Sequence, residues 1–412
     1  MPITWSKTFS SAIAGLLTIP LSSCSGLRAP STLFLTFSVG REQFKIDETN
    51  VRNFLDENSK AFQRSNPETR VVYITYTSSD FVKQISGDSD LNLGPDLILT
   101  DIFVSDALYK RNLTATLPDK KYFKAIYGPQ FQWAALENEN SEYTFAPWLI
   151  NTQIACFNNT KIKKSPRTIQ ELEDLSASGR KIGLSSEPFE LIWSAGTKGA
   201  ITEISSVGDQ RSSNQTFPAI RGWLEWIRKA ALYQNIYFFD NSRDLSEEFK
   251  NKKLDWITCW SSQMKDLKSK MGNTLSVSAL PNGLKSKASP PINIYGFALG
   301  KNSSQSQREM ALKFIKSSVN TISQRKLQFG DSGLLAANQN VSIPPKSSSK
   351  LKTLNYSFKE QFSPYFNEWP GLIRWLSPES RSKPLSRTFT EFTNGYLSVN
   401  ETMKIVTSLK TN

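Results

Sequence analysis

The sequence predicts an α/β protein in two lobes, and three observations predict it. Short β-branched or aromatic runs alternate with stretches of helical apolar spacing through most of the chain, as strands in a sheet alternate with the helices that cover it. The first two such runs bracket one helical stretch, which is the order of a βαβ unit with parallel strands. The chain has 412 residues, more than one hydrophobic core usually serves, so two units are expected.

The elements follow in order. Residues 31–38 (STLFLTFS) read as a buried strand. Val51, Phe54, Leu55, Ala61 and Phe62 then share one helical face, and Asn66-Pro67 stops that helix. Residues 70–77 (RVVYITYT) form a second strand, and a short helix near 80–86 leads to Gly94-Pro95 and a third strand at Leu97-Ile98-Leu99. Residues 103–109 are helical. An aromatic-rich strand (EYTF) passes through Pro147-Trp148 into a further strand at 153–158. Thr168 and Glu171 have the spacing of a capping box, which starts a helix by satisfying free backbone N–H groups. Strands are expected in RKIGLSS (180–186), LDWITCW (254–260), TLSVSAL (274–280) and INIYGFALG (292–300). Helix is expected within 189–204. Two amphipathic helices join these strands. One carries Ile220, Trp223, Leu224, Ile227 and Ala231 on one stripe, the other Met310, Ala311, Phe314 and Ile315. From Lys350 onward the chain reads as largely helical.

Composition narrows the chemistry. The chain contains no histidine. That excludes Ser-His-Asp and Cys-His catalysis, His-ligated zinc and the usual neutral-pH general base. Carboxylate-dependent chemistry stays open. The net charge is +13, but Lys and Arg are dispersed among Ser and Asn. Clusters such as Lys161-Ile162-Lys163-Lys164 read as solvated loops and not as a stripe that tracks phosphates, so no nucleic-acid partner is expected. Cys156 and Cys259 sit in apolar, strand-like runs, where a disulfide and two buried thiols are both open readings.

The N-terminus carries Lys7, then an apolar run at about residues 9–21, too short to span a bilayer, which needs roughly 20 apolar residues. Leu21-Ser22-Ser23-Cys24 resembles a bacterial lipobox. That resemblance implies a signal peptide at 1–23, lipid on Cys24 and a tether at 24–30. No other segment is long and apolar enough to span a membrane.

Several ordered patches resemble the periplasmic solute-binding proteins of ABC importers, in the sugar-binding group of the maltose-binding-protein class. Gly94-Pro95-Asp96 with its apolar strand resembles one family strand. FAPWLINTQIACFNNTKIKKSPRTIQEL resembles the family's crossover into the second lobe. KNKKLDWITCWSSQM resembles the stretch where a strand presents a Trp to the cleft. The run from Leu280 to Leu327, and then SGLLAANQNV, resemble the family's later crossings, with Ala336 where proline is usual. Residues 350–384 have no counterpart in the pattern.

The resemblance implies a two-lobe periplasmic-binding-protein fold (type II-like) with a hinge and an interlobe ligand cleft. The N-terminal lobe would be 31–146 plus 297–338, and the C-terminal lobe 149–293 plus 341–412. The chain would cross near 146–151, 292–297 and 336–341. The implied protein is a monomer and not an enzyme, needs no cofactor or metal, and is exported to the periplasmic face of a membrane. It would capture a sugar or glycosylated polyol and deliver it to the importer's permease subunits.

Sugars present apolar faces to aromatic rings and polar edges to carboxylates, amides and arginines. Trp148, Trp193, Trp260, Tyr295 with Gly296, Trp369 and Trp375 lie where the resemblance puts the cleft. Asp101 ends a strand, where ligands of open α/β sheets gather, while Asp96 reads as fixing a turn. Ser38 and Arg41 follow the first strand. Trp223 and Trp226, on a regular helix, read as core or surface. The competing ligands are an anion, ferric iron or a polyamine. Iron is disfavoured by the lack of histidine and of adjacent tyrosines. An exported carboxylate-dependent glycosidase and a surface scaffold that lost its ligand are the other readings.

Overall fold

The computed structural model describes residues 31–38, 48–76, 80–211, 216–330, 332–376 and 384–408. The expected signal peptide, the tether with Cys24, and Arg41 lie outside the described residues.

The chain opens with β1 (Ser31–Phe37), α1 (Glu48–Ser65), β2 (Thr69–Ile74), α2 (Phe81–Asp90), β3 (Leu97–Asp101) and α3 (Ile102–Lys110). β1 pairs in parallel with both β2 and β3, as the βαβ reading requires. Next come β4 (Thr114–Ala115), α4 (Lys120–Tyr127) and a 3-10 stretch, Pro129–Ala135. The following strand, β5 (Ala146–Asn158), is buried along its whole length.

The middle of the chain holds α5 (Ile169–Ala177), β6 (Ile182–Ser185), α6 (Pro188–Thr197), α7 (Ile201–Gly208), α8 (Pro218–Ala231) and β7 (Ile236–Phe239). It continues through α9 (Ser242–Lys250), β8 (Trp256–Trp260), α10 (Met264–Met271), β9 (Leu275–Ser278) and β10 (Ile292–Gly300). The last part contains α11 (Gln305–Val319), α12 (Thr321–Phe329), β11 (Leu335–Ala336) and α13 (Ser349–Tyr356). A π-helical turn (Ser357–Phe362) and a 3-10 turn (Ser363–Glu368) lead to α14 (Trp369–Leu376), α15 (Leu385–Thr393) and α16 (Val399–Thr407). None of the described helices is long and apolar enough to cross a membrane.

The strands form one mixed sheet in the order β2-β1-β3-β10-β5-β8-β6-β7. β5 joins its two halves. Residues 146–152 of β5 pair with β10 and β11. Residues 153–158 pair with β8 and β9. The sequence suggests a break near Pro147-Trp148, but the strand is continuous. Proline cannot donate to a ladder, and here Pro147 sits opposite Gly296, where the register shifts between Tyr295 and Gly296. A methyl group on Gly296 would strike the Ala146 carbonyl and the Phe145 ring. The irregular ladder therefore needs glycine at this point.

Cys156 on β5 and Cys259 on β8 are joined by a disulfide with Cα atoms 5.9 Å apart. This settles the open reading of the two cysteines. At α5 the Thr168 hydroxyl accepts from Glu171 N at 3.1 Å, as the spacing predicts. The return bond is displaced by one residue. The Glu171 carboxylate takes the N–H of Arg167 at 2.7 Å and not that of Thr168.

The C-terminal helices are fixed to the second half by close backbone approach. α14 crosses α7 at glycines: a methyl on Gly208 would strike the Gly371 carbonyl, and one on Gly371 would strike Ser205. On α8, Trp223, Leu224 and Ile227 are buried, and so is Trp226. The two tryptophans read as core or surface are thus core.

Two outcomes test this packing. Gly371→Ala should lower unfolding free energy by about 1–3 kcal/mol, because a packed helix crossing must open to admit the methyl; urea denaturation measures it. Replacing Cys156 and Cys259 together by Ala should cost about 2–4 kcal/mol, since the disulfide closes a long loop in the unfolded chain. Thiol counting under denaturing, non-reducing conditions should find neither cysteine free.

Candidate ligand-binding site

Aromatic rings connect the two halves of the sheet. Phe103 stands in the first turn of α3, where the Asp101 carboxylate accepts from Phe103 N at 2.9 Å and Val104 N at 3.0 Å. That cap satisfies free N–H groups at the helix start and fixes where Phe103 leaves the backbone. The Phe103 ring meets Phe189 of α6 edge-on, with centroids 5.9 Å apart. Pro188 occupies the first turn of α6 and sets its start immediately before Phe189. Phe189 stacks on Trp260, the last residue of β8, at 6.0 Å and an interplanar angle of 18°. It also packs on Trp369 at 6.1 Å. Trp369 in turn touches Trp133 of the 3-10 stretch at 5.9 Å and Phe362 at 4.9 Å. Phe131 and Phe366 extend the cluster at 6.3 Å from each other. Phe103, Phe131 and Trp133 precede β5, whereas Phe189, Trp260, Phe362, Phe366 and Trp369 follow it.

Glu190 supports one wall. It is 2% exposed and accepts from Trp260 Nε1 at 2.8 Å. Burial pushes its carboxyl above the ordinary glutamate value, and bonds from Trp260, Ser185 and Ser242 hold it back down. Its bond fixes the Trp260 ring that stacks on Phe189.

A polar floor adjoins the rings. Asn151 of β5 and Asn293 of β10 are cross-strand partners. The Asn151 side-chain oxygen accepts from Ser261 Oγ at 2.9 Å and Ser262 N at 3.1 Å. Asn293 Nδ2 donates to Tyr295 Oη at 2.8 Å. These groups are all buried. Asn151 Nδ2, Asn293 Oδ1 and Ser262 Oγ have no hydrogen-bond partner, nor do Trp133 Nε1 and Trp369 Nε1. Buried polar groups are usually paired. Here donors, an acceptor and a hydroxyl lie unmatched on the floor and in the ring cluster. Such an arrangement can take up a ligand with apolar faces and hydroxyl edges. Among the described residues, no group of three or more Cys, Asp or Glu could hold a metal ion.

The structure distributes the sequence-predicted residues unevenly. Trp260 and Trp369 stand in the ring cluster, and Tyr295 stands on the floor. The others have structural partners instead. Asp101 caps α3. Gly296 serves the irregular β5–β10 ladder. Trp148 packs on Phe297 at 5.2 Å, and its carbonyl accepts from Gln324. Trp193 packs on Trp226 at 6.1 Å in the second half. Trp375 donates from Nε1 to Val406 O at 2.8 Å and packs on Trp223 and Phe389. Ser38 directly follows β1, and its N–H donates to Leu99 O at 2.9 Å. Asp96 is a fastener, as expected: its carboxylate takes Phe34 N, Ser303 Oγ and Gln307 Nε2.

Sequence reasoning missed Phe103, Phe131, Trp133, Phe189, Phe362, Phe366, Asn151 and Asn293. Two signals were present. Phe358, Phe362, Phe366 and Trp369 follow helical spacing. Asn151, Thr152 and Gln153 form a polar interruption in a strand that is buried along its whole length.

With that geometry in view, the sequence was compared with known proteins. The model of the family "Bacterial extracellular solute-binding protein" matches residues 58–353. The chain belongs to this family. Its fold is shared with solved structures at low identity. The GacH receptor of Streptomyces glaucescens GLA.O, described unliganded and with acarbose, matches with a TM-score of 0.68 and 14% identity, over 92% of this chain and 97% of that one. A cyclo/maltodextrin-binding protein complexed with maltotetraose gives 0.68 and 13%, over 92% and 97%. The maltose-maltodextrin binding protein of Alicyclobacillus acidocaldarius gives 0.67 and 13%, over 91% and 98%. No curated protein matches the sequence significantly. The family and these relatives are binding proteins and not enzymes, and the two-lobe sugar-binding-protein architecture accounts for nearly the whole of this solute-binding chain.

Glu190 yields a test with a definite sign. A carboxyl whose pKa is raised on folding is protonated more readily in the folded state, so stability falls as pH rises through the interval between the two values. The loss begins near 4.5 and is complete above the raised value. Glu190→Gln keeps an acceptor for Trp260 and has no proton to lose. The variant should therefore gain stability over the parent as pH rises from 4.5, then hold a constant lead. Urea midpoints across pH 4–8 measure this.

Proposed function

We propose that this solute-binding protein captures a carbohydrate between two lobes and passes it to the permease subunits of an ABC importer. The lobes are 31–146 plus 297–338 and 149–293 plus 341–412, and the ligand is a sugar or glycosylated polyol. The protein acts as a monomer at the periplasmic face of a membrane, held there by lipid on Cys24 after removal of residues 1–23.

The observation that carries this reading is the ring cluster drawn from both sides of β5, with the unmatched indole N–H groups of Trp133 and Trp369 inside it. Aromatic faces suit the C–H faces of a pyranose, and free indole donors suit its oxygens. The floor adds amides and hydroxyls, which favour a neutral polar ligand over a polyamine or an inorganic anion. The relatives support the same class, since their described ligands are acarbose, maltotetraose and maltose.

The rings touch one another. A ligand reaches them only when the lobes part, and the strands that pass between the lobes (β5, β10 and β11) form the hinge. Ligand binding replaces ring–ring contacts, each worth about 0.5–1.5 kcal/mol beyond area burial, by contacts that exist only when the lobes close on the ligand. The closed state is selected by that difference in contacts.

Thermal melting against maltose, maltotriose, maltotetraose, chitin oligosaccharides, glycosylated polyols, polyamines and anions tests the reading. A carbohydrate at a hundredfold excess over its Kd should stabilise the fold by about 2.7 kcal/mol. Shifts with amines or inorganic anions alone would overturn the sugar assignment. Trp369→Phe sharpens the test, because it keeps a ring and removes a donor that has no partner in the free protein. It should weaken carbohydrate binding about five- to tenfold, the worth of one hydrogen bond, and breaks no hydrogen bond of the unliganded fold.

A further inference from the structure

A cavity of about 510 Å³ lies toward the C-terminal end of β5, away from the rings and the polar floor. Its wall includes Phe157, near the strand's C-terminal end, whereas Asn151 of the floor described above lies six residues back, about 20 Å along an extended strand. Lys164, Ser165, Arg167, Ser278, Asn282 and Tyr356 supply its polar lining.

The hydrogen bonds around this cavity leave mainly donors facing it. Ser165 Oγ accepts from Trp256 Nε1 at 3.3 Å and from Ser278 Oγ at 2.6 Å. Ser278 Oγ also lies 3.1 Å from Ala279 O; with its one proton on the nearer Ser165, the Ser165 lone pairs are occupied and the Ser165 O–H remains to donate. Asn282 Oδ1 accepts from Ala288 N at 3.0 Å and Gln361 Nε2 at 2.9 Å, so its acceptor is filled and its NH₂ group remains. Lys164 and Arg167 are donors only, and among the described residues no carboxylate lies within ion-pair distance of either. The nearby Glu171 carboxylate is engaged with the backbone N–H of Arg167. No Asp or Glu lines the cavity. The apolar part of the wall is Phe157, Pro166 and Leu280.

We propose that this cavity binds the phosphate group of a small organic phosphate, independently of the carbohydrate site. A donor-rich wall with two cations requires an anionic, acceptor-rich ligand. It offers more N–H and O–H groups than the two oxygens of a carboxylate can serve, whereas a phosphate monoester presents three terminal oxygens. The apolar wall accommodates the organic part. The same chemistry reaches the protein either as a free phosphate ester or as a phospholipid headgroup. The lysine run around 161–164, which reads as solvated surface from sequence, thus has one member at a cavity.

The test uses the full chain and two probes: glycerol 3-phosphate by calorimetry, and vesicles of phosphatidylglycerol against phosphatidylcholine by sedimentation. The variant is Lys164→Gln with Arg167→Gln, both exposed positions. The control is Lys60→Gln with Lys313→Gln, which removes equal charge elsewhere. Binding of glycerol 3-phosphate that falls at least tenfold in the cavity variant and not in the control supports the proposal with a free ester as ligand. The same pattern with phosphatidylglycerol vesicles alone supports it with a lipid headgroup as source, and the N-terminal segment is common to all the chains compared. Binding of neither probe, or equal loss in variant and control, overturns it. Trp369→Phe should leave glycerol 3-phosphate binding unchanged, and so separates this site from the carbohydrate site.

Discussion

β5 hydrogen-bonds to β10 and β11 over its first part and to β8 and β9 over its second. Both halves of the sheet therefore share one backbone, and what moves between them must move about it. This explains why the strand is buried throughout, its polar residues Asn151, Thr152, Gln153 and Asn158 included. It also explains the position of the polar floor. Asn151 lies just before the point where β5 changes partners, and its side-chain oxygen bonds Ser261 and Ser262 immediately after β8 ends. The disulfide ties β5 to β8 farther along. The second half is thus held rigidly to the shared strand on the side that bears Trp260.

The buried acids among the described residues act as fasteners. Asp96 ties β1 to the start of α11, Asp101 caps α3, and Glu190 orients Trp260. Glu173, at another buried position, collects Trp226 Nε1, Lys229 Nζ and Tyr233 Oη. A carboxylate with its lone pairs so engaged is a poor general base and a poor cation ligand. The site built around such acids is aromatic and amide in character. This distinguishes it from a glycosidase, where two carboxyl groups must face the substrate.

The ring cluster has an energetic consequence for the unliganded protein. Phe189 meets Phe103 before β5 and Trp260 and Trp369 after it, so ring contact across the sheet's halves competes with any ligand for the same surfaces. The unmatched donors tip the competition the other way, because a buried N–H without an acceptor costs about 1–3 kcal/mol. A ligand that supplies oxygens relieves this cost, whereas a purely apolar ligand does not.

The sequence by itself determined the order and type of the elements. The parallel β1–β2 unit, the Thr168 cap and the buried stripe of α8 are local: each depends on spacing within a few turns or one strand, which a linear reading captures. It also determined the family, through ordered patches that no single motif carries. Tertiary structure alone decided which aromatics face each other. Trp148, Trp193 and Trp375 look like Trp260 and Trp369 in sequence, yet the first three pack inside one half, whereas Trp369 meets Trp133 from across β5 and Trp260 stacks on Phe189, which itself meets Phe103 from across it. Nothing local separates these cases, because the choice rests on partners in other elements, such as Trp133 for Trp369 and Phe189 for Trp260. The same holds for Cys156 and Cys259, whose pairing depends on β8 lying beside β5. Asp101 shows the opposite case: its carboxylate caps α3 two and three residues on, and a helix cap and a ligand contact look alike until the helix start is placed.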